Sequence, residues 1–203
     1  KLCIKHHVTV IADEIHQDVV YSGHKHIPFA SICPEFAEIT VSFMNPSKTF
    51  NVPGFRTAAF IASNPVLKSA VHEMLVNNKA IGENICGTIA FYTAYEQCDY
   101  YADQLVAYLE KNRDLVEQTL KDVPEIEVTH AEGTYLLWLD CRGVGFESQK
   151  ALDKWLVEIA KLGFNSGMSF GPEGEGYARM NIAAPRSTVE EALHRLTNAV
   201  KAL

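Results

Sequence analysis

Lys48 differs from the other lysines of the chain in the residues that surround it. It lies in the stretch SFMNPSKTFNVPGFR, residues 42–56, directly after Pro46 and Ser47 and eight positions before Arg56. An ordinary surface lysine needs no such neighbours. A lysine that forms a Schiff base with an aldehyde does need them, because both the amine and the rest of the aldehyde must be held in place. The stretch therefore indicates covalent chemistry at Lys48.

Asp13, Ser47 and Arg56 supply the other groups that pyridoxal 5'-phosphate (PLP) requires. A carboxylate beside the pyridine nitrogen keeps that nitrogen protonated, because a nearby opposite charge favours the charged form. The protonated ring accepts electrons when a substrate Cα–H bond is broken. An arginine fork and a hydroxyl group suit the phosphate.

From the residues alone, ordinary alternatives stay open for each of these groups. Lys48 could be an exposed lysine, and Asp13 could be a turn or capping residue. Arg179, between apolar neighbours on a predicted strand, could belong to a structural ion pair.

Three short apolar runs predict the strands that position the first two groups. They are HVTVIADEI, EITVSF and RTAAFIAS. None alternates cleanly between apolar and polar residues, so we expect strands covered on both faces, as in α/β sheets. Asp13 and Lys48 follow the first two runs, and ligands of open α/β sheets bind beyond the carboxyl ends of strands. We therefore expect these two side chains to face one pocket.

Helical patterns follow the three runs. Asn64-Pro65 predicts one helix start, ENICGTIAFYTAYEQ predicts a second helix, and Asp99 opens a long helix that Pro124 ends. The remaining residues predict a smaller α+β unit with strands in IEVTH, TYLLWLDC and YARMNIA. We expect the helix SQKALDKWLVEIAKL to close at Gly163, and the last helix to open with a capping box at residues 187–190.

The segment NPSKTFNVPGFRTA resembles the lysine signature of the class I/II aminotransferases, the fold-type I PLP enzymes. ADEIH resembles their Asp-x-x-Tyr motif, and GYARMNIAAPRS resembles the segment whose arginine grips the substrate α-carboxylate. The longer stretch DEIHQDVVYSGHKHIPFAS is similar to the MalY/PatB-type cystathionine β-lyase branch. The resemblance covers nearly the whole chain, but only the C-terminal half of the family fold.

The resemblance implies a role for each residue around the cofactor ring. Lys48 would form the Schiff base with PLP and then shuttle the Cα proton. Asp13 would pair with the pyridine nitrogen, and Ile15 would lie against one ring face. His16 stands where many relatives have a tyrosine near the phenolic oxygen.

The resemblance also implies the groups that bind the two anions. Ser47 and Arg56 would bind the cofactor phosphate, and Arg179 would bind the substrate carboxylate. The chain departs from the family pattern at Asn45, where relatives often have a phosphate-binding serine, and at Thr57, where a more apolar residue is usual.

The implied fold is α/β, in three parts. Residues 1–98 would be the C-terminal part of the large, aspartate aminotransferase-like PLP-binding domain. Residues 99–123 would be a long interdomain helix, and residues 124–203 a small α+β C-terminal domain. Because the chain opens without methionine and lacks the family's upstream phosphate-binding turn, we expect it to be part of a longer protein, a homodimer when complete.

The implied function is that of a PLP-dependent carbon–sulfur β-lyase. Such an enzyme cleaves cysteine thioethers, such as cystathionine, to a thiol, pyruvate and ammonia. Two alternatives stay open. One is a class I/II aminotransferase that exchanges an amino group between an amino acid and a 2-oxo acid; the other is a fragment that has no activity of its own and acts as an interaction domain.

Composition and charge argue against several other classes of protein. The net charge is −7, and no run of lysine and arginine occurs, so neither nucleic acid nor an anionic membrane surface is an expected partner. No apolar stretch approaches the roughly 20 residues of a membrane-spanning helix. The five cysteines are odd in number and form no CxxC, which favours a reducing cytoplasm over a disulfide framework.

Two further motifs have weaker chemical interpretations. The histidines and cysteines match no standard metal-ligand spacing, and His72-Glu73 lacks the second histidine of H-E-x-x-H, so we predict no metal site. The stretch GMSFG, residues 167–171, matches the G-x-S-x-G nucleophile elbow of α/β-hydrolases. Loop residues PEGEG follow it where the elbow requires a helix, so a glycine-rich loop is the better interpretation.

Overall fold

The computed structural model describes residues 1–82 and 84–203. Contacts between residues divide the chain into two compact units, residues 1–105 and residues 106–203. Each unit contains one β-sheet. In the described parts of the chain, no helix combines the length and the apolar character needed to cross a bilayer.

The first unit is a three-stranded sheet with helices before and after it. Its elements are α1 (Leu2–Lys5), β1 (Val10–Asp13), α2 (Pro34–Ala37), β2 (Thr40–Met44), β3 (Ala59–Ile61), α3 (Pro65–Asn77) and α4 (Ile85–Gln97). The strand order is β1-β2-β3, with β1 parallel and β3 antiparallel to β2. The three predicted strands are confirmed.

Only the central strand matches the prediction of burial on both faces. Thr40, Val41 and Ser42 of β2 are buried. On the flanking strands, Ile11 of β1 is 72% exposed and Ile61 of β3 is 56% exposed.

Asparagine caps begin the two helices that follow the sheet. Asn64 Oδ1 accepts hydrogen bonds from the backbone N–H groups of Val66 and Leu67 at 2.9 and 3.4 Å, which confirms the predicted start of α3. Asn84 Oδ1 accepts from Gly87 N at 3.1 Å at the start of α4. Gly87 has a second role, because a Cβ there would overlap the Thr57 side chain. The segment that follows Arg56 can therefore lie against α4.

The helix α5 spans Asp99–Leu120, and its start at Asp99 was predicted. It ends four residues before Pro124, and the chain continues through a turn in which Val123 N donates to Leu120 O at 3.0 Å. Leu109, Val116 and Leu120 recur at helical spacing and are all buried.

The second unit packs two helices on one face of a four-stranded antiparallel sheet. Its elements after α5 are β4 (Glu127–Val128), β5 (Leu136–Asp140), α6 (Gln149–Glu158), β6 (Asn165–Ser166), β7 (Tyr177–Asn181) and α7 (Arg186–Lys201). The strand order is β4-β5-β7-β6. Alternate strand residues point into the core with α6 and α7: Leu137, Leu139, Ala178, Met180, Leu152, Trp155, Leu193 and Leu196.

Two predicted helix boundaries of this unit are wrong. The helix α6 ends at Glu158, and the left-handed residue that follows is Lys161, with φ 56°, rather than Gly163. The chain turns early because Ala160 and Leu162 are buried in the core. The helix α7 begins at Arg186 after Pro185, whose carbonyl accepts from Thr188 N and Val189 N at 2.9 and 3.2 Å. Residues 187–190 therefore lie inside the helix and form no capping box.

Candidate active site

Asp13 and the Lys48 segment leave the first sheet at the same edge. β1 and β2 are parallel neighbours, and Asp13 lies opposite Phe43 in the register. Parallel strands end on one side of a sheet, so both chain segments emerge there. Asp13 is exposed at this edge, and its Oδ1 accepts a hydrogen bond from Ile15 N at 3.4 Å. Its carboxylate is therefore accessible to a cationic ligand group.

A tight turn holds Lys48 just beyond β2. Phe50 N donates to Pro46 O at 2.8 Å, which closes the turn around Ser47 and Lys48. Asn45 Oδ1 accepts from Ser47 N at 2.9 Å. Asn45 thus stabilises the turn through its side-chain oxygen. Among the described residues, its Nδ2 group has no hydrogen-bond acceptor. Lys48 itself is half-buried.

Three segments of the first unit meet at Asp18, which follows Gln17 in the turn after β1. Asp18 Oδ2 accepts from the buried hydroxyl of Thr49 at 2.9 Å and lies 3.2 Å from the Tyr95 hydroxyl oxygen. The same Tyr95 hydroxyl lies 3.2 Å from Asn45 O. Burial, followed by the charge of Asp18, raises the pKa of Tyr95 well above its ordinary value, so this hydroxyl stays a donor. The network fixes the backbone on both sides of Lys48.

Arg56 lies at the end of a short turn made by residues 53–55. Its backbone adopts the left-handed conformation, with φ 49° and ψ 40°, which is uncommon for a residue other than glycine. Asn84 Nδ2 donates to Phe55 O at 2.6 Å, and Thr57 Oγ1 donates to the same carbonyl at 3.1 Å. Both contacts hold the residue before Arg56, so the arginine projects from a fixed turn.

Neither Lys48 nor Arg56 has a carboxylate partner within ion-pair distance in residues 1–82 and 84–203. The two cations therefore carry charge that the described residues leave uncompensated. Such charge suits an anionic ligand group.

Ile15 and His16 occupy the turn that follows β1. Both are half-buried, and His16 O accepts from Val19 N at 3.1 Å. Glu14 holds the far end of this loop, because its Oε1 accepts from Phe29 N at 2.8 Å. The cofactor contacts expected for Ile15 and His16 remain predictions.

Arg179 lies on β7 in the second unit, opposite Trp138 on one side and Asn165 on the other. Its Nη2 donates to Asn165 Oδ1 at 3.1 Å, and its guanidinium lies 4.6 Å from the centroid of the Phe170 ring. In the part of the chain that the structure describes, no carboxylate pairs with it. If Arg179 belonged to a structural ion pair, it would need a carboxylate partner, and the described residues supply none.

The two weaker motifs can also be located. GMSFG forms a single 3-10 turn, and a second 3-10 turn at residues 172–174 follows it, so the helix of a nucleophile elbow is not formed. Among the described residues, no three histidine, cysteine, aspartate or glutamate side chains lie close enough together to hold a metal ion.

Sequence reasoning missed several residues that shape these sites. Glu14, Asp18 and Tyr95 stabilise the segments around Lys48, and Asn165 and Phe170 contact Arg179. Asp18 and Glu14 lie within the DEIHQD stretch, so their position beside the motif was the one available signal. No sequence signal marks the other three, because their contacts cross between elements.

The sequence is similar to known PLP-dependent proteins over almost its full length. The family model of aminotransferase class I and II matches residues 1–196. Cystathionine beta-lyase PatB from Bacillus subtilis is 34% identical over 201 residues, which are 98% of this chain and 52% of PatB. An aspartate aminotransferase from Pyrococcus horikoshii is 28% identical over 198 residues, which are 97% of this chain and 49% of that protein.

A solved structure has nearly the same fold. Cystalysin from Treponema denticola, which contains a pyridoxal 5'-phosphate cofactor, superposes with a TM-score of 0.95 at 32% identity. The match covers 99% of this chain and 51% of cystalysin. The α/β fold predicted from the sequence is confirmed, and the chain spans about half the length of the relatives it matches.

Proposed function

The chain belongs to the class I and II aminotransferase family, and from that premise we propose that the complete protein is a PLP-dependent carbon–sulfur β-lyase. It would cleave cysteine thioethers of the cystathionine type to a thiol, pyruvate and ammonia. The observation that carries the proposal is the parallel pairing of β1 with β2, because it brings Asp13 and the Lys48 turn to one edge of the sheet.

The donor groups of the first unit suit PLP. Lys48 supplies a half-buried amine and Asp13 an exposed carboxylate. Ser47 and Arg56 supply a hydroxyl and a guanidinium, and the described residues offer that guanidinium no carboxylate. These groups match the aldehyde, the pyridine nitrogen and the phosphate, respectively. We therefore assign the cofactor to these residues, with Ile15 and His16 beside its ring.

Each residue would have a defined task in the reaction. PLP, when bound, supplies an aldehyde that reacts with amines and a ring that accepts electrons from a broken Cα–H bond. The Asp13 carboxylate keeps the ring nitrogen protonated. Lys48 Nζ removes the proton from the substrate Cα and holds it, and Arg179 orients the substrate through its α-carboxylate.

The choice of a lyase rests on the relatives. PatB is named a cystathionine beta-lyase, and it is 34% identical to this chain. In a β-lyase, loss of the Cα proton is followed by departure of the thiolate from Cβ. In an aminotransferase, Lys48 would instead deliver the proton to a different carbon, and the amino group would stay with the cofactor while the substrate leaves as a 2-oxo acid. The aspartate aminotransferase at 28% identity keeps this second function as the alternative.

The test uses the complete protein saturated with PLP. We expect pyruvate to be released from L-cystathionine over many turnovers without any added 2-oxo acid as amino-group acceptor. Lys48→Ala should abolish release, whereas Lys68→Ala, on the exposed side of α3, should not change it. If a 2-oxo acid forms only after 2-oxoglutarate is added, the protein is an aminotransferase. If neither product forms although PLP is bound, both enzyme assignments fail.

We also propose that the complete protein is a homodimer located in the cytoplasm. Large apolar side chains of α3 and α4 are exposed in the first unit, among them Val66, Met74, Ile85 and Ile89. The five cysteines are free thiols, as a reducing compartment requires. Sedimentation of the complete protein would measure its oligomeric state, and a monomer would contradict the first of these two proposals.

A further inference from the structure

One face of the second sheet carries aromatic and charged side chains instead of core residues. The residues between the core positions of β5 and β7 point to this face: Trp138, Asp140, Tyr177 and Arg179. Cross-strand pairing places Trp138 opposite Arg179 and Asp140 opposite Tyr177. The face is therefore a ladder in which each side chain has a neighbour on the adjacent strand.

Two groups restrain the Arg179 guanidinium directly. Asn165, its partner in the register of β6, accepts from Nη2 at 3.1 Å. Phe170, from the loop after β6, covers the guanidinium with a ring centroid 4.6 Å away. A cation above an aromatic ring is attracted to it, and the contact uses none of the N–H donors. Asn165 thus fixes one edge of the guanidinium, and Phe170 fixes its plane.

Phe170 is itself held by a continuous stack along the sheet. Trp138 meets the Phe170 ring edge-on, with centroids 5.4 Å apart. Tyr177 stacks on Trp138 at 5.6 Å, and Arg142 lies 4.9 Å above the Tyr177 ring. Edge-on and offset-stacked rings are the preferred aromatic geometries. The position of Phe170 therefore does not depend on its own loop alone.

Most of the hydrogen-bonding capacity of Arg179 is unused. A guanidinium has five N–H donors, and Asn165 accepts from one nitrogen. The Nε atom is buried and finds no acceptor in the described residues. In the same residues no carboxylate neutralises the charge. Positioned cations with unused donors favour an anion that can accept two parallel hydrogen bonds.

We propose that Asn165 and Phe170 are positioning residues that hold Arg179 ready for the α-carboxylate of an amino-acid ligand. This inference rests on the proposed function, because that function assigns the carboxylate to Arg179. Asn165 stops the guanidinium from rotating, and Phe170 covers one face and excludes water from it. Both residues act through Arg179 and need no contact with the ligand.

The test compares two ligands that differ only in the carboxylate. L-alanine and ethylamine share the amine and the carbon chain, and only L-alanine can bind Arg179 through a carboxylate. Dissociation constants are measured from the absorbance change of PLP in the complete protein. We expect Asn165→Ala and Phe170→Leu to weaken L-alanine binding about tenfold, the equivalent of one hydrogen bond to a charged group. Ethylamine binding should stay the same.

Matched variants control for general damage to the second unit. Asn198→Ala removes an exposed asparagine on α7 whose Nδ2 atom lies 2.9 Å from His194 Nε2. Phe146→Leu removes a ring that packs on Trp155 in the core. Neither residue contacts Arg179, so neither change should alter the ratio of the two dissociation constants. Because Asn165 is exposed and Phe170 is 52% exposed, the two test variants should fold.

A second readout needs neither PLP nor activity. In the cofactor-free complete protein, NMR can follow hydrogen exchange of the Arg179 Nε proton, with Arg179→Lys to assign the signal. We expect Asn165→Ala and Phe170→Leu to accelerate this exchange, because both restraints keep Nε buried. Unchanged exchange would overturn the proposal.

The outcomes separate this proposal from the lyase assignment. If L-alanine binding weakens selectively but no pyruvate forms from L-cystathionine, only the lyase assignment fails. If pyruvate forms but both variants weaken L-alanine and ethylamine equally, or weaken neither, only the positioning role fails. If the unmodified protein binds the two ligands equally well, Arg179 does not bind the carboxylate, and the positioning role fails as well.

Discussion

The Thr49 hydroxyl next to Lys48 is fully buried, and it donates to Asp18 Oδ2 at 2.9 Å. Thr49→Val keeps the shape of the side chain but removes the donor, which leaves a half-buried carboxylate with one hydrogen bond fewer. We expect the free energy of unfolding of the complete protein to fall by about 1.5–3 kcal/mol, the typical cost of losing a hydrogen bond to a charged group. Urea denaturation of the cofactor-free protein measures this change.

Thr129→Val provides the matched control, because Thr129 is exposed directly after β4, away from the apolar surface of α3 and α4. Its effect should stay within about 0.5 kcal/mol, as for most surface substitutions. The double variant Asp18→Asn/Thr49→Val should cost less than the sum of the two single changes, because the two groups interact directly. Additive costs would mean that the hydroxyl and the carboxylate are not coupled.

Asp140 should make the stability of the second unit depend on pH. Hydrogen bonds from Arg142, at 2.9 and 2.6 Å, hold the pKa of the Asp140 carboxyl below its ordinary value of 3.8. A lowered pKa in the folded state means that the pair contributes fully above pH 3.8 and loses this contribution as the pH falls further. Because Arg142 is exposed, solvent screening keeps this contribution small.

Thermal unfolding of the complete protein across this pH range checks the effect. Asp140→Asn should lower the Tm at neutral pH, and the difference from the unmodified protein should shrink as the pH falls below 3.8. A constant difference at every pH would show that the carboxylate charge contributes nothing.

At the scale of elements, the end of α6 shows how burial overrides a local rule. Glycine after a helix is the usual left-handed residue, and Gly163 is the nearest one. The chain instead turns at Lys161, since Ala160 and Leu162 must both reach the core. Local sequence does predict the start of α3, where Asn64 caps its own helix. The cap at Asn64 was thus predictable, whereas the capping box expected at residues 187–190 is not formed and the end of α6 is set by core packing.

Two substitutions at this helix end should have different effects. Lys161→Gly removes the strain of a left-handed lysine at φ 56°, so we expect about 1 kcal/mol of added stability. Gly163→Ala should change stability little, because a Cβ there meets open space and φ lies outside the left-handed region. Denaturation of the complete protein measures both. A larger effect at Gly163 than at Lys161 would restore the glycine as the residue that ends the helix.

For the whole molecule, the fold class predicted from the sequence is confirmed. The roles of Lys48, Asp13 and Arg179, which were assigned from residue type and motif, remain predictions. The contacts of Arg179 with Asn165 and Phe170 were not predicted, because they depend on the register between β7 and the two-residue strand β6. A strand of two residues is too short to show an alternation of apolar and polar residues in the sequence. The predicted division at residues 98 and 123 stays a proposal.

Cofactor binding should be measurable as stability of the complete protein. A ligand that binds only the folded state stabilises it by about 2.7 kcal/mol at a concentration 100 times its Kd. Added PLP should therefore raise the Tm of the cofactor-free protein. The rise should be smaller in Lys48→Ala, which loses the covalent attachment, and in Arg56→Ala, which loses a cation for the phosphate.

Arg179→Ala separates the two proposed anion sites in the same measurement. Because Arg179 is assigned to the substrate carboxylate, its loss should leave the rise in Tm with PLP as large as in the unmodified protein. Lys68→Ala, an exposed lysine on α3, should do the same and controls for the loss of one positive charge. An undiminished rise in both Lys48→Ala and Arg56→Ala would move the cofactor away from the edge where β1 and β2 end. A rise lost only in Arg179→Ala would instead assign the phosphate to the second unit.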